Sequence, residues 1–319
     1  MREGNTNSFA IQTRGLVKRY NSEVLAVDGI DLNIPENTIY AMLGPNGAGK
    51  TTTFSMLTTL LEPTGGAATV LGYDVVKQAN NVRSQIGVTF QETVLDKELT
   101  GRQALDYHGR LYGMSKEQRK AKIVELLGLV ELEEAADRHI STYSGGMKRR
   151  LELIRGLMTD PRVLFLDEPT LGLDPQSRIR IGEYIRDLKE KRGLTVLLTT
   201  HYMDEAEQLA DTVGIIDRGK ILVEGTPQEL VEQMGADVII IQGSGDEGKF
   251  IDQVNALPYT QLVTNTDGII QIGVGSGSRR LVEVVTLAND FNYQVDDISV
   301  SKPSLGDVFL QYTGRQFRD

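Results

Sequence analysis

A glycine-rich segment between a short apolar run and a helical pattern constrains the fold more than any other feature of this chain. It reads Gly44-Pro-Asn-Gly-Ala-Gly-Lys50-Thr51 and fits G-x-x-x-x-G-K-[ST] at every constrained position. Glycines let backbone N–H groups converge on phosphate oxygens, and the following helix points its positive dipole end at the same anion. The segment therefore predicts a phosphate-binding turn from a strand at 38–43 into a helix that starts near Lys50. The residues expected to contact the phosphates are Gly44, Pro45, Asn46, Gly47, Ala48, Gly49, Lys50, Thr51 and Thr52.

Within this loop, two side chains have a predicted chemical role. Lys50 would reach the β- and γ-phosphates of a nucleotide, and the Thr51 hydroxyl is placed to ligate Mg²⁺. The alternative is a tight turn that contains a lysine by chance. Position between a predicted strand and a predicted helix favours the phosphate loop.

A second signal is an apolar strand that ends in two acidic residues. Val163–Leu166 is followed directly by Asp167 and Glu168. A buried parallel strand would place Asp167 at the carboxyl end of the sheet, beside the phosphate loop. Asp167 would hold Mg²⁺ directly or through water, and Glu168 would polarise the attacking water as general base. Two acids that merely face solvent in a loop are the alternative, and the phosphate loop favours the functional interpretation.

Strand and helix patterns alternate along much of the chain. Leu194–Thr200 reads as a strand, and the spacing of Ile181, Ile185 and Leu188 predicts a helix. Such alternation indicates a largely parallel sheet with helices on both faces. Between about residues 100 and 140 the periodicity is helical throughout, which predicts a helical insertion.

The chain changes character after Met234. Strand patterns near 238–241, 262, 269–272 and 295–300 surround two helical patterns, in the order βαββαβ of ferredoxin-like domains. With 319 residues, two domains are expected. We predict a larger domain over 1–234, whose helical insertion covers about 92–150, and a small α+β domain over 235–319.

Composition excludes several classes of function. The chain has 34 Lys and Arg against 44 Asp and Glu, a formal charge of −10, so bulk attraction of nucleic acid is not expected. Cysteine is absent, which removes disulfides and thiolate metal sites. No run approaches 18 apolar residues, and the polar segment Met1–Ser8 lacks a signal-peptide core, so we expect a frayed tail there. Any membrane process would need another chain to supply the membrane part.

The segment Ser144-Gly145-Gly146 precedes a basic helical stretch. Ser144 is a typical N-cap, and two glycines at a helix start expose N–H groups that would bind a second anion. Together with the phosphate loop and the acidic strand end, this segment resembles the signature of ABC transporter nucleotide-binding subunits. The resemblance covers nearly the whole chain and is nearest to the daunorubicin-resistance-type export branch. It implies an ATPase domain with a mostly parallel core sheet and antiparallel N-terminal strands.

Further residues take a role from this resemblance. Tyr20 matches the aromatic that stacks on adenine, Gln91 the glutamine that contacts Mg²⁺, and His201 the histidine at the γ-phosphate. Leu171-Gly-Leu-Asp174 matches the loop that carries an aspartate across the dimer. The family's mechanism implies two ATP molecules between two subunits, with Ser144, Gly145, Gly146 and Asp174 acting across the dimer. Taken singly, Tyr20, Gln91 and His201 would each suit an ordinary structural role.

The resemblance also implies the partners and the place of work. ATP and Mg²⁺ are the expected ligands, and the second ATPase subunit is another copy or a paralogue. A separate transmembrane permease would be powered from the cytoplasmic side of the cell membrane, and nucleic acid is not expected as a partner. Export of drugs or other hydrophobic or lipid-like compounds is the implied direction.

Four positions depart from the common family pattern. Tyr143 stands where Leu is common, Met147 where Gln is common, and Gly172 where Ser or Ala is common. In the closing motif, which runs over 303–310 and continues through Thr313-Gly-Arg315, Gly306 replaces a usual acidic residue. Because glycine disfavours helix by about 1 kcal/mol, we expect the last helix to start late or fray.

Three other classes of function remain as alternatives. A soluble ABC ATPase such as a translation factor usually carries two cassettes, and this chain has one. A DNA-maintenance ATPase needs long coiled coils, and no sustained heptad array occurs here. A module that binds nucleotide only as a structural ligand would not need Glu168 and His201.

Overall fold

The computed structural model of the protein describes residues 9–20, 24–92, 94–235, 237–266, 268–275 and 277–313. The expected N-terminal tail Met1–Ser8, and Gly314 and Arg315 of the closing motif, lie outside the described residues. The chain divides into two compact units, Met1–Ile221 and Leu222–Asp319. Across the described ranges, no helix is long and apolar enough to cross a membrane.

The strands are β1 Phe9–Arg19, β2 Leu25–Pro35, β3 Ile39–Leu43, β4 Gly65–Val70, β5 Tyr73–Asp74, β6 Ile86–Thr89, β7 Val163–Asp167, β8 Thr195–Thr200, β9 Thr212–Asp217, β10 Lys220–Gly225, β11 Asp237–Gly245, β12 Thr260–Thr266, β13 Ile269–Val274 and β14 Tyr293–Ser301. The helices are α1 Lys50–Leu57, α2 Ala79–Arg83, α3 Gly101–Leu111, α4 Lys116–Leu129, α5 Gly145–Gly156, α6 Pro175–Arg192, α7 Met203–Leu209, α8 Pro227–Glu232, α9 Glu247–Asn255, α10 Gly277–Asp290 and α11 Leu305–Thr313.

A mostly parallel sheet forms the centre of the first unit. Its strand order is β10-β9-β3-β8-β7-β6, and β3 pairs in parallel with both β8 and β9, as β7 does with β6 and β8. Every residue of β3, β7 and β8 is buried, as expected for strands covered on both faces. The register places Leu43 beside Thr200 and Asp167 beside Thr199, so these carboxyl ends meet at one edge of the sheet. The predicted core sheet is confirmed.

A second sheet, of order β2-β1-β4-β5, is antiparallel, in agreement with the family expectation for the N-terminal strands. Its inner face shares one apolar core with α1 and the parallel sheet. At the centre of that core, Phe54 of α1 meets Phe165 of β7 edge to face, with ring centroids 5.8 Å apart. Helix α1 is thereby fixed against the strand that ends in the acidic pair.

The predicted helical insertion consists of α3, α4 and the start of α5. Capping boxes begin α3 at Thr100 and α4 at Ser115, where the side chains of Gln103 and Gln118 reach back to the cap N–H groups. Helix α5 runs past the expected end of the insertion, as far as Gly156. Its last turn therefore returns to the parallel sheet and packs on β6.

In the second unit, β11, α9, β12, β13, α10 and β14 follow in the predicted βαββαβ order. The four strands form an antiparallel sheet of order β12-β13-β11-β14, with an apolar core under α9 and α10. The assignment to the ferredoxin-like class stays an interpretation.

The border between the two units lies within β10, closer to the N-terminus than the expected border after Met234. Helix α8 is grouped with the second unit because it packs against α11 there. The extents of the two domains stay a prediction.

The closing helix begins earlier than its glycine suggested. Helix α11 starts at Leu305, so Gly306 lies in its first turn. The Asp307 carboxylate accepts hydrogen bonds from the N–H and the hydroxyl of Ser304, at 2.8 and 2.7 Å. This cap gives the polar groups of Ser304 hydrogen-bond partners at the helix start, and it offsets the cost of the glycine.

The contact between α5 and β6 gives a test of this packing with two neighbouring glycines. A Cβ added to Gly87 would lie 2.2 Å from the backbone oxygen of Gly156, whereas one added to Gly156 would meet no atom within 3.4 Å. We expect Gly87→Ala to lower the free energy of unfolding by about 1–3 kcal/mol, because backbone atoms must separate. Gly156→Ala should change it by less than about 1 kcal/mol. Urea denaturation measures both, and equal losses would contradict the packing described here.

Candidate active site

The predicted phosphate loop turns from the end of β3 into α1. Gly49 has φ of +106°, and a Cβ there would lie 2.5 Å from the backbone oxygen of Ala26. A Cβ on Gly44 would lie 2.3 Å from the oxygen of Ile216, so both positions require glycine. Pro45, Asn46, Gly47, Ala48, Thr51 and Thr52 complete the turn and the first residues of α1, with Asn46, Gly47 and Thr51 exposed. The turn that the sequence predicted is present.

Three charged or titratable side chains converge beside this loop. The Lys50 ammonium lies 3.1 Å from Oε1 of Glu168, and Nδ1 of His201 lies 2.8 Å from Oε2. Lys50 also donates to the backbone oxygens of Gly44 and Pro45, at 2.6 and 3.3 Å. Lys50 and Glu168 are buried, and His201 is half-buried. A cation, a carboxylate and an imidazole are thereby held in contact where the loop can bind an anion.

The first acid of the pair is held by a threonine hydroxyl. Thr199 donates to Oδ1 of Asp167 at 2.5 Å, and the Thr51 hydroxyl lies near this carboxylate. Burial raises the pKa of Asp167, and the neighbouring Glu168 raises it further, whereas Thr199, Thr51 and Lys50 lower it. A carboxylate next to a hydroxyl is an oxygen set that suits Mg²⁺. Among the described residues, no group of three or more His, Asp or Glu forms a metal site.

The second acid lies in a strained turn. Glu168 has φ of +47°, which is uncommon for a residue with a side chain. Its N–H donates to both the backbone oxygen and the hydroxyl of Thr199, at 3.2 and 3.1 Å. The neighbouring strand β8 thus holds the turn that directs the Glu168 carboxylate towards Lys50.

Two further predicted residues lie at the margin of this cluster. Tyr20 is 50% exposed, and its hydroxyl lies 3.4 Å from Oγ1 of Thr52, so an exposed aromatic ring stands beside the first turn of α1. Gln91 is exposed just beyond the end of β6. Its side chain forms no hydrogen bond to Thr51 or Asp167 within the described ranges.

The residues expected to act across a dimer form a second cluster. Ser144 caps α5 by accepting the Met147 N–H at 3.2 Å, and a Cβ on Gly146 would lie 2.7 Å from Oγ of Ser177. Asp174 caps α6, accepting the N–H and the hydroxyl of Ser177 at 3.0 and 2.7 Å. These hydrogen bonds lower the pKa of Asp174. Gly145 lies beside this loop as well, since its Cβ would be 3.8 Å from Leu173.

The two clusters are separate within one chain. No hydrogen bond or ion pair joins Ser144 or Asp174 to Lys50, Glu168 or His201 in the part of the chain that the structure describes. In one chain, the phosphate loop therefore adjoins a lysine, a carboxylate and an imidazole, and the Ser-Gly-Gly helix start belongs to the other cluster.

Sequence reasoning missed Arg149, whose buried guanidinium is central to the site. It donates to the backbone oxygens of Phe90, Asp167, Glu168 and Pro169, at 2.6–2.9 Å. Burial lowers its pKa, and Glu152, 3.3 Å away, raises it. The basic run in which Arg149 occurs indicates a solvated helix face, so no sequence signal pointed to burial.

Sequence reasoning also missed Glu205, a second buried group. Its carboxylate accepts the hydroxyl of Thr200, and its Oε1 has almost no exposed surface. Burial raises the pKa of Glu205 to about 7, and the charges of Glu168 and Asp204 add to that shift. The only signal in the sequence was its place four residues after His201.

The departure at Tyr143 has a structural explanation in the insertion. The Tyr143 ring is buried, its hydroxyl donates to the backbone oxygen of Ala135 at 2.6 Å, and burial raises its pKa. A Cβ on Gly101 would lie 2.5 Å from this hydroxyl, so the larger side chain occupies space that a glycine leaves open. The Ser-Gly-Gly helix start that follows is intact.

Comparison with known proteins confirms the family resemblance found in the sequence. The ABC transporter family matches residues 27–171. The chain is 41% identical to the daunorubicin resistance ATP-binding protein DrrA3 of Streptomyces coeruleorubidus, over 96% of each protein. It is 36% identical to the linearmycin resistance ATP-binding protein LnrL of Bacillus subtilis strain 168, over 97% of this chain and 100% of that protein.

A solved structure gives the same result for the fold. The post-hydrolysis dimer of the ATP-binding cassette MJ0796, bound to ADP and Pi, matches with a TM-score of 0.61 and 26% identity. The match covers 68% of this chain and 98% of that one. The phosphate loop, the acidic strand end and the full-length relatives together show that this chain belongs to the ABC transporter family, as an ATP-binding subunit with ATPase activity coupled to transport.

Proposed function

We propose that this subunit binds Mg-ATP between two ATPase subunits and uses its hydrolysis to drive a separate permease from the cytoplasmic side of the cell membrane. The observation that carries the proposal is the division of the site residues into two clusters. Lys50, Glu168 and His201 form one, and the Ser144 and Asp174 cluster forms the other. A two-fold dimer of identical or paralogous subunits would bring the Ser144 and Asp174 cluster of each subunit to the first cluster of the other subunit.

In this mechanism, the chain positions phosphate and water. The incoming β- and γ-phosphates compete with Glu168 for Lys50, because both are anions within reach of the same ammonium. Glu168, held by His201 at 2.8 Å, then takes a proton from the attacking water. His201 contacts the γ-phosphate, and Tyr20 stacks on the adenine. Positioning and charge stabilisation carry most of the rate in such phosphoryl transfer.

Three residues would hold the metal. The Thr51 hydroxyl lies near Asp167, and Gln91 follows the neighbouring strand β6. A bound Mg²⁺ would neutralise charge on the β- and γ-phosphates. Burial raises the pKa of Asp167, and a divalent ion at this carboxylate would oppose that effect.

The partner subunit would close the site. Helix α5 begins with Ser144, Gly145 and Gly146, so its first N–H groups and its positive dipole end can bind a γ-phosphate held by the other copy. Hydrolysis removes that phosphate and with it the contacts that bridge the dimer. ATP then favours the closed dimer more than ADP does, and this difference is the source of work.

A groove beside the Gln91 loop suits the permease. It has a volume of about 300 Å³, and its lining includes Leu60, Phe90, His108, Tyr112 and Arg155. Leu60 and Tyr112 are 60% and 54% exposed, and Arg155 adds a positive charge. The groove therefore fits an amphipathic cytoplasmic helix of the membrane subunit, with apolar anchors and an acidic residue.

The cargo is inferred from the relatives. DrrA3 is named for daunorubicin resistance and LnrL for linearmycin resistance, and a third relative, from Burkholderia orbicola strain AU 1054, for Nod factor export. We therefore assign this subunit to the export of drugs or other hydrophobic or lipid-like compounds.

Replacing the base tests the catalytic assignment. We expect Glu168→Gln to lower the ATPase turnover at least 100-fold, because the amide cannot accept the proton of the attacking water. ATP binding should persist, and light scattering should detect a stable ATP-bound dimer. Glu117→Gln, on the exposed start of α4, is the matched control. Turnover near the unmodified level in Glu168→Gln would disprove the role of Glu168 as base.

A bulky charge at the helix start tests the role of the second cluster. Ser144→Arg should keep the dissociation constant for ATP within about twofold while hydrolysis falls at least tenfold, since the side chain would block the partner's phosphate. Ser141→Arg, exposed three residues earlier, should leave both unchanged. If Ser144→Arg hydrolyses ATP normally, the site is complete within one chain.

The docking groove can be tested in solubilised membranes. We expect Leu60→Glu to abolish co-purification of a protein with several transmembrane helices, because the acid repels the proposed partner helix and removes its apolar anchor. The ATPase activity of the isolated subunit should not change. Val282→Glu, 75% exposed in the second unit, is the control. Unchanged recovery of the partner with Leu60→Glu would place the docking surface elsewhere.

A further inference from the structure

Glu205 is a buried acid that the proposed mechanism does not use. Its residue is half-buried, but Oε1 has almost no exposed surface. Thr170 lies close enough to this carboxyl to lower its pKa, and neither the Thr170 hydroxyl nor Oε1 forms a hydrogen bond among the described residues. Both residues line a groove of about 330 Å³ between α6 and α7. Burying a carboxyl with so few hydrogen-bond partners costs free energy, which suggests that Glu205 has a role beyond stability.

One side of the Glu205 carboxyl holds the loop that presents His201. The Thr200 hydroxyl donates to Oε2 of Glu205 and accepts the N–H of Tyr202 at 3.0 Å. His201 lies between these two residues, and its ring packs on that of Tyr202 with centroids 4.1 Å apart. Thr200 and Tyr202 thereby fix the turn on both sides of the histidine.

The other side connects to the aspartate loop, defined here as Thr170–Asp174. The Arg178 guanidinium lies 4.0 Å from the centroid of the Tyr202 ring, a cation–π contact. The Nε of Arg178 also donates to the backbone oxygen of Leu173 at 3.0 Å. Tyr202 and Arg178 thus join the histidine turn to the loop that carries Asp174.

We propose that Glu205 is a positioning residue that, through Thr200 and the Tyr202–Arg178 contact, holds His201 and the aspartate loop in one fixed relation. The proposal rests on the proposed dimer mechanism, in which His201 contacts the γ-phosphate and Asp174 reaches the other subunit. A change at the phosphate is then transmitted to the dimer contact through this cluster.

The charges around the carboxyl suggest which variant should replace it. Burial, with the nearby acids Glu168 and Asp204, raises the pKa of Glu205 to about 7, while the hydroxyls of Thr200 and Thr170 lower it. The charge of Glu205 also raises the pKa of Arg149. A neutral carboxyl is accessible near neutral pH, and glutamine has the same shape and can accept the Thr200 hydroxyl.

The experiment compares purified full-length variants. We expect Glu205→Ala to lower kcat at least tenfold with the ATP dissociation constant within twofold, and Glu205→Gln to restore kcat to at least half. Arg178→Ala should lower kcat at least threefold, and its combination with Glu205→Ala should be less than additive. Arg186→Ala, an exposed arginine of the same helix and groove, should have no effect. If Glu205→Ala does not fold, Glu205→Gln and Arg178→Ala carry the test alone.

A second measurement separates this proposal from the dimer mechanism. Glu168→Gln should form an ATP-bound dimer, and adding Glu205→Ala should shorten the lifetime of that dimer at least fivefold while ATP binding persists. Failure of Glu168→Gln itself to dimerise would count against the proposed function. A normal dimer lifetime in the double variant, together with unchanged kcat in Glu205→Ala or Arg178→Ala, would overturn the role of Glu205.

Discussion

The buried guanidinium of Arg149 holds the catalytic end of the sheet together. Four backbone oxygens, from Phe90, Asp167, Glu168 and Pro169, receive its N–H groups. Removing it would leave these carbonyls without their partner in a dry environment, and each such loss costs about 1–3 kcal/mol. Because Arg149 lies on α5, the helix that begins with the Ser-Gly-Gly segment is bonded to the acidic strand end and to the Gln91 loop. A movement of α5 would therefore displace both the acidic strand end and the Gln91 loop.

The carboxyl end of β8 organises three acids through three consecutive residues. Thr199 donates to Asp167, Thr200 donates to Glu205, and His201 contacts Glu168. Alternate residues of an extended strand point to opposite sides, so one short segment serves the proposed metal ligand Asp167, the proposed base Glu168 and the acid Glu205 behind them. The site depends on this strand as much as on the phosphate loop, although its sequence contains only one residue of obvious chemistry.

Much of the fold could be predicted because its signals are local. Continuous apolar runs predicted β3, β7 and β8, and the glycine pattern predicted the turn between β3 and α1. The Ser144 cap followed from the same kind of reasoning, whereas the start of α11 did not, because the Ser304–Asp307 cap outweighs the effect of Gly306. Among the site residues, Arg149 and Glu205 could not be found: their burial comes from tertiary packing, and charged residues on helices usually face solvent.

The separation of the two clusters explains why one chain cannot complete the proposed reaction. Lys50 and Glu168 are paired at 3.1 Å. In the proposed reaction, phosphate would therefore displace Glu168 from Lys50, and His201 would keep the freed carboxylate oriented. In the proposed dimer, a second anion contact from α5 of the partner copy would add binding only while the γ-phosphate remains. The proposed mechanism thus links the bond that is broken in hydrolysis to the contact that holds the two subunits together.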